Sequence, residues 1–135
     1  DVMGYSIGQV AEKLNLPSST IRYYDKEGLL PFIERKNSGV RVFSESDLGM
    51  LAIIECLKNT GMPIKDIKQF SIWCAQGDAT LQQRYDMFLE RKRIVEEQMA
   101  ELERSMKTIE HKCRYYKAAL EAGTESIHKQ AVTKK

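Results

Sequence analysis

The sequence predicts a mainly α-helical protein: a head of short helices carrying one small hairpin, followed by a single long helix. Three observations carry this reading. Two short amphipathic stretches flank a proline turn between Ser6 and Gly28, and Arg35–Phe43 places strand-like arms around an Asn-Ser-Gly turn. From Ala79 to Ala122 there is then no glycine or proline, and apolar residues recur at alternating spacings of four and three, the seam of a coiled coil.

Taken in order, Ser6 with Gln9 has the spacing of a capping box, and Ile7, Val10, Ala11 and Leu14 fall on one helical face. Pro17 breaks that helix, because proline lacks the N–H and pushes the preceding residue out of the α region. Ser18 and Ser19 offer N-caps for a second helix, Thr20 to Glu27, which Gly28 stops. Two short helices about a tight turn make a helix-turn-helix, whose second helix enters the DNA major groove. Leu29-Leu30-Pro31-Phe32 returns the chain to the core. The hairpin concentrates charge in Arg35, Lys36 and Arg41, where a wing lies along a phosphate backbone.

Ser44 with Asp47 opens a helix over Glu45–Asn59 that is apolar on most sides (Leu48, Leu51, Ala52, Ile53, Ile54, Leu57). Another runs from Pro63 to Cys74 with Ile64, Ile67, Phe70 and Trp73 inward, and Gln76-Gly77-Asp78 reads as the linker. The domains expected are a winged helix-turn-helix over 3–76, a coiled-coil helix over 79–122 and a flexible tail over 123–135. The seam consists of Leu81, Phe88, Val95, Leu102, Ile109 and Tyr116, alternating with Tyr85, Lys92, Met99, Met106, Cys113 and Leu120. Some 40 residues at 1.5 Å rise make a rod of roughly 60 Å. So small a head leaves most of that stripe uncovered, and a homodimer is expected.

Composition sets bounds. At 42% hydrophobic and 30% charged, the chain is that of an ordinary globular protein, with no apolar run long enough for a bilayer. No secretory signal is read, Asp1 and Val2 before Met3 are taken as a tag remnant, and three widely spaced cysteines suit a reduced, cytoplasmic setting. Net charge is only +2, and residues 1–58 carry seven Lys and Arg against eight Asp and Glu. Bulk charge therefore does not point to DNA. Local placement does: Arg22, Lys26, Arg35, Lys36 and Arg41 outnumber Asp25, Glu27 and Glu34 between 22 and 41.

At Thr20-Ile21-Arg22-Tyr23-Tyr24-Asp25, Gly28-Leu29-Leu30 and the run Arg35 to Phe43, the sequence resembles the N-terminal domain of MerR-family transcription regulators. The resemblance implies DNA contact by Ser19, Thr20, Arg22, Tyr23 and Tyr24, by Arg35, Lys36 and Arg41 in the wing, and more weakly by Lys65. Arg22 suits a guanine edge or a phosphate. It also implies a dimer joined by an antiparallel coil, bound to palindromic promoter DNA, which it distorts for RNA polymerase. The charges alone, with Glu96, Glu103 and Glu110 on one shoulder and Arg84, Arg91 and Lys112 on the other, suit a parallel coil; orientation is taken from the resemblance.

Cys56 lies mid-helix, where a lone cysteine is usually a small buried hydrophobe. The run Arg35–Arg41 and the placement of Cys56 are similar to the aldehyde-responsive branch of the family (AdhR-like and NmlR-like proteins), in which a cysteine at this place senses electrophiles. Cys74 reads as packing, and Cys113 as a seam residue able to form an intersubunit disulfide. His111, Cys113 and His128 lack the close spacing of a zinc site, the cysteine pair of metal-sensing relatives is missing beyond the long helix, and the drug-binding C-terminal domain is absent, so no metal or cofactor is expected. Trp73, Tyr85 and Phe88 read as core before ligand cage. Two other classes stay open: a coiled-coil adaptor whose head recognises protein, and a thiol enzyme using Cys56, for which no base partner is visible. A response to a non-covalent small ligand is the alternative within the family.

Overall fold

In the computed structural model, which describes the fold of residues 4–133 and the side chains of residues 4–129, the N-caps expected at Ser6 and Ser44 both form, each as a capping box. Ser6 Oγ accepts the Gln9 N–H at 3.2 Å while Gln9 Oε1 accepts the Ser6 N–H at 2.8 Å, opening α1 (Ile7–Leu14). Asn15 ends it in the left-handed conformation (φ 56°), one that asparagine tolerates better than most residues. The helix α2 (Ser18–Lys26) begins two residues earlier than the serines suggest. Pro17 takes the N-cap position and no side chain caps the helix, because the fixed proline φ already sets the entry.

Strands β1 (Glu34–Arg35) and β2 (Arg41–Val42) pair antiparallel, Glu34 opposite Val42 and Arg35 opposite Arg41. The Lys36–Gly39 turn closes through the Gly39 N–H on Lys36 O at 2.8 Å, with Gly39 at φ +88°. Tyr5 adds a bridge to Phe43, its N–H on Phe43 O at 2.7 Å and its carbonyl accepting at 2.9 Å. Helix α3 (Glu45–Asn59) has the predicted limits and its Ser44–Asp47 box. In α4 (Ile64–Gln76), Pro63 is the N-cap and lies outside the helix.

The head is built on Val10, Ile21, Tyr24, Leu29, Phe43, Leu51, Ile54 and Ile67, all without solvent exposure. Two expectations fail here. Ala52 and Ile53 are exposed, so α3 is buried on one face only, and Trp73 is half-exposed where it was expected inward. Tyr85 is exposed too, and Phe88 touches the head through an edge-on contact with Phe70 at 5.3 Å between ring centres.

Gly77 (φ 87°, ψ −157°) turns the chain from α4 through a 3-10 turn (Asp78–Thr80) into α5 (Leu81–Ala122), in a region of backbone space that suits glycine. Thr80 Oγ1 donates to Trp73 O at 2.6 Å, and Arg84 donates to Gly77 O at 2.9 Å and Thr80 Oγ1 at 3.0 Å. This removes Arg84 from the charged shoulder expected along the coil. The chain divides into two compact units, one ending at Arg91 and the other starting at Lys92, so the opening turns of α5 belong with the head.

In the second unit α5 continues to Ala122, and the tail expected to be flexible contains α6 (Ser126–Thr133). Gly123 (φ 78°) makes the turn. The Tyr115 ring stacks on His128 at 3.8 Å, the Tyr115 hydroxyl donates to Glu125 at 2.8 Å, and Ala119 is buried. Asp1, Val2, Met3, Lys134 and Lys135 lie outside the described residues.

Candidate nucleic-acid interface

Helix α2 is divided lengthwise. Ile21 and Tyr24 are fully buried, while Ser19, Arg22, Tyr23 and Lys26 face outward at the i, i+3, i+4, i+7 positions of one stripe, with Thr20 half-exposed beside them. Ser19, Thr20, Arg22 and Tyr23, the residues expected to meet DNA, are thus all accessible on α2. Lys26, which was not among the residues expected to contact DNA, joins the stripe, as its spacing of seven from Ser19 requires.

Tyr24 is a correction. Its ring has no exposure, and its hydroxyl donates to Glu55 Oε1 on α3 at 2.5 Å. It anchors α2 to α3 and presents nothing to a phosphate. Burial, and then the bond to Glu55, raise its phenol well above the ordinary 10.0. Because the folded state raises this pKa, the contribution to stability is complete below about pH 10 and is lost as the phenol ionises at higher pH. Tyr24→Phe is expected to cost about 1–2 kcal/mol in urea unfolding at neutral pH and to flatten the alkaline limb of the stability profile. An unchanged midpoint would show that the bond contributes nothing.

The wing stands beside α2. Lys36, Asn37, Ser38, Gly39 and Val40 are exposed. Arg41 Nε donates to Asp25 Oδ2 at 2.6 Å, and Arg35 Nη2 donates to the same oxygen. Arg35 Nη1 also donates to Gly39 O across the turn at 3.2 Å. Two of the five cations of this patch are thus paired with one carboxylate. Arg22, Lys26 and Lys36 have no ion-pair partner among the described residues. Lys65 is exposed on the first turn of α4.

A helix with a polar outward stripe, flanked by a basic hairpin, can lie in a groove while the hairpin follows the backbone. Comparison with known proteins fits this geometry. Residues 5–71 match the MerR HTH family regulatory protein model, and residues 48–112 match the model for MerR, DNA binding. An uncharacterised HTH-type transcriptional regulator from Haemophilus influenzae is 41% identical over 122 residues, covering 90% of each chain. The chain belongs to the MerR family.

It is a DNA-binding transcriptional regulator, as its MerR relatives are, and not an enzyme. The HTH-type transcriptional regulator AdhR of Bacillus subtilis is 35% identical over 92 residues, covering 67% of this chain and 66% of AdhR. Among solved structures, HiNmlR, a MerR family regulator lacking the sensor domain and bound to promoter DNA, superposes with a TM-score of 0.85 at 40% identity, covering 93% of this chain and 99% of that one. The description of the MerR fold as mainly helical, with the hairpin and the long C-terminal helix, holds throughout.

Three free thiols lie outside the α2 stripe and the wing. Cys56 is exposed, a correction to the buried cysteine that its mid-helix position suggests, and it shares the open face of α3 with Gly49, Ala52 and Ile53. Cys74 is half-buried; burial raises its thiol, opposed by the Arg84 guanidinium. Cys113 is exposed on α5. Among the described residues no three His, Cys, Asp or Glu side chains group as a metal site, and no helix is long and apolar enough to cross a membrane.

Proposed function

We propose that this regulator acts as a homodimer on a palindromic promoter, each head placing α2 in a major groove, and that the pair distorts the intervening DNA into a form RNA polymerase can use. Ser19, Thr20, Arg22 and Tyr23 read or grip the groove, Arg35, Lys36 and Arg41 follow the backbone, and Lys65 adds a flanking phosphate contact. The single observation that carries the dimer is the seam itself. Leu81, Tyr85, Met99, Leu102, Met106, Ile109, Tyr116 and Leu120 are each at least half exposed in the single chain, with Phe88, Val95 and Cys113 completing the stripe. Apolar surface on this scale calls for a partner, and a second copy supplies the matching heptads. The antiparallel orientation is taken from the family resemblance, and the charge pattern that suits a parallel coil is weakened, because the Arg84 guanidinium bonds Gly77 and Thr80. The stiff coil holds two heads at a fixed separation, and an effector biases which dimer conformation is populated. The setting is the cytoplasm.

Cys56 is the sensor in this proposal, and reactive aldehydes or related electrophiles are its inducers. Its exposure on an unpartnered helix face supports this, as does the resemblance of the Arg35–Arg41 run and the Cys56 placement to the aldehyde-responsive branch of the family. Transcription in vitro from the promoter upstream of its own gene tests it. Aldehyde is expected to stimulate transcription at least severalfold with wild type and not with Cys56→Ser. Equal responses would remove Cys56 from sensing.

One observation favours a non-covalent effector in that event. An open, largely apolar groove of about 220 Å³ lies between α4 and the first turns of α5, walled by Met62, Trp73 and Met87, with the buried Nε of Arg91 unpartnered.

A further inference from the structure

Asp25 does something that the assignment of DNA contacts leaves unexplained. It lies between buried Tyr24 and outward Lys26 on α2, with a side chain only 13% exposed. Its Oδ2 is the common acceptor for Arg35 on β1 and Arg41 on β2. One carboxylate on the recognition helix thus holds both strands of the wing. Each strand has two residues, and a two-stranded hairpin of that length is marginal by itself. Arg35 extends the clamp to the turn through Gly39 O, so the helix and both strands meet at one carboxylate oxygen and Arg35 links them to the turn.

We infer that Asp25 is a positioning residue that fixes the wing against the recognition helix and restrains the wing's attraction for DNA in general, and so sets discrimination between operator and other DNA. This deepens the DNA-binding reading and rests on it. A guanidinium carries five N–H donors. Arg41 gives Asp25 its Nε, and Arg35 uses one donor on Asp25 and one on Gly39, so both keep donors for a phosphate while aimed by the clamp. The two differ in freedom: the Arg41 side chain is 24% exposed and the Arg35 side chain 46%. Arg41 is the more firmly held member and Arg35 the freer to adjust to the backbone.

Held guanidiniums bind a phosphate well only where the DNA path brings one to them, an advantage of preorganisation. Released guanidiniums follow any duplex. The carboxylate also subtracts one charge from the surface that faces DNA, and non-specific binding is the component most sensitive to that charge.

The test compares wild type, Asp25→Asn, Asp25→Glu and Arg35→Gln by fluorescence anisotropy. The duplexes are one selected by wild type from random DNA and a scrambled duplex of equal length, over a salt series. Asp25→Asn is expected to bind the scrambled duplex severalfold more tightly, steepen the log–log salt slope by about 1–2, and narrow the specificity ratio about tenfold. Asp25→Glu restores the slope. Arg35→Gln has the opposite sign, losing about 0.9 of slope for each wing, or about 1.8 for the dimer, on both duplexes. An Asp25→Asn protein that weakens both duplexes equally at unchanged slope would overturn the inference, as would one indistinguishable from wild type. Should Asp25→Asn fail to fold, Arg35→Gln decides: an unchanged slope there removes Arg35 from the backbone and the inference with it. Wild type that shows no preference for any selected duplex would instead sink the operator reading itself.

Discussion

Leu102→Asp is expected to convert the protein to monomers and to lower operator affinity by roughly 10²–10⁴-fold, the gain that linking two binding modules provides. Leu102 is 69% exposed in the single chain and contributes nothing to the core of the head. Its replacement therefore leaves a folded head whose melting transition serves as the control. In a closed seam the same position is buried against the partner, and the substitution places an unpaired carboxylate there on each strand, which apolar surroundings penalise heavily. Tyr116→Asp should act in the same way. Sedimentation velocity at micromolar concentration reads the outcome. A dimer that survives with operator binding intact would show that the heptads are covered by something other than a second copy. A monomer with undiminished affinity would show that the two heads do not act together on DNA.

The architecture was legible because it is written in local chemistry. The N-caps expected at Ser6 and Ser44 depend on residues three apart, and both form. The glycine turn of the wing and the heptads are likewise short-range patterns. What the sequence hid depends on which way a residue faces in a helix that is only partly covered. Tyr23 and Tyr24 are chemically alike and adjacent, yet the 100° step between them puts one outside and the other in the core on Glu55. Cys56 and Ile53 look like core by hydropathy, but α3 has more apolar surface than the head can cover, and they are left out. The pairing of Asp25 with Arg35 and Arg41 spans 10 and 16 residues, and no periodicity foretells it. Counting charges along the chain credits the wing with two free cations that the fold has already engaged. Helix α6 was hidden for a similar reason: its sequence is polar, and its stacking of His128 on Tyr115 spans 13 residues.

Arg22→Ala should produce the largest loss at the head itself. Arg22 is exposed at the centre of the outward stripe of α2, three residues from Ser19 and four from Lys26, and it lacks an ion-pair partner among the described residues. Its guanidinium is therefore unengaged, unlike those of Arg35 and Arg41. A bidentate arginine contact to a guanine edge contributes about 1–3 kcal/mol of discrimination, and a dimer makes the contact twice. Operator affinity should fall at least tenfold, with the thermal stability of the head unchanged because Arg22 buries nothing. The salt series separates the two roles open to this side chain. If Arg22 reads a base, the loss falls on the operator duplex, the scrambled duplex is nearly unaffected and the slope stays as in wild type. If it grips phosphate, both duplexes weaken together and the slope falls by about 0.9 for each contact removed. Tyr23→Phe provides the scale for comparison. Tyr23 is 44% exposed, its ring braced at 6.1 Å on Tyr24, and loss of its hydroxyl removes one neutral hydrogen bond worth about 1 kcal/mol. An Arg22→Ala effect no larger than that of Tyr23→Phe would mean that the outward stripe of α2 is not what the DNA meets.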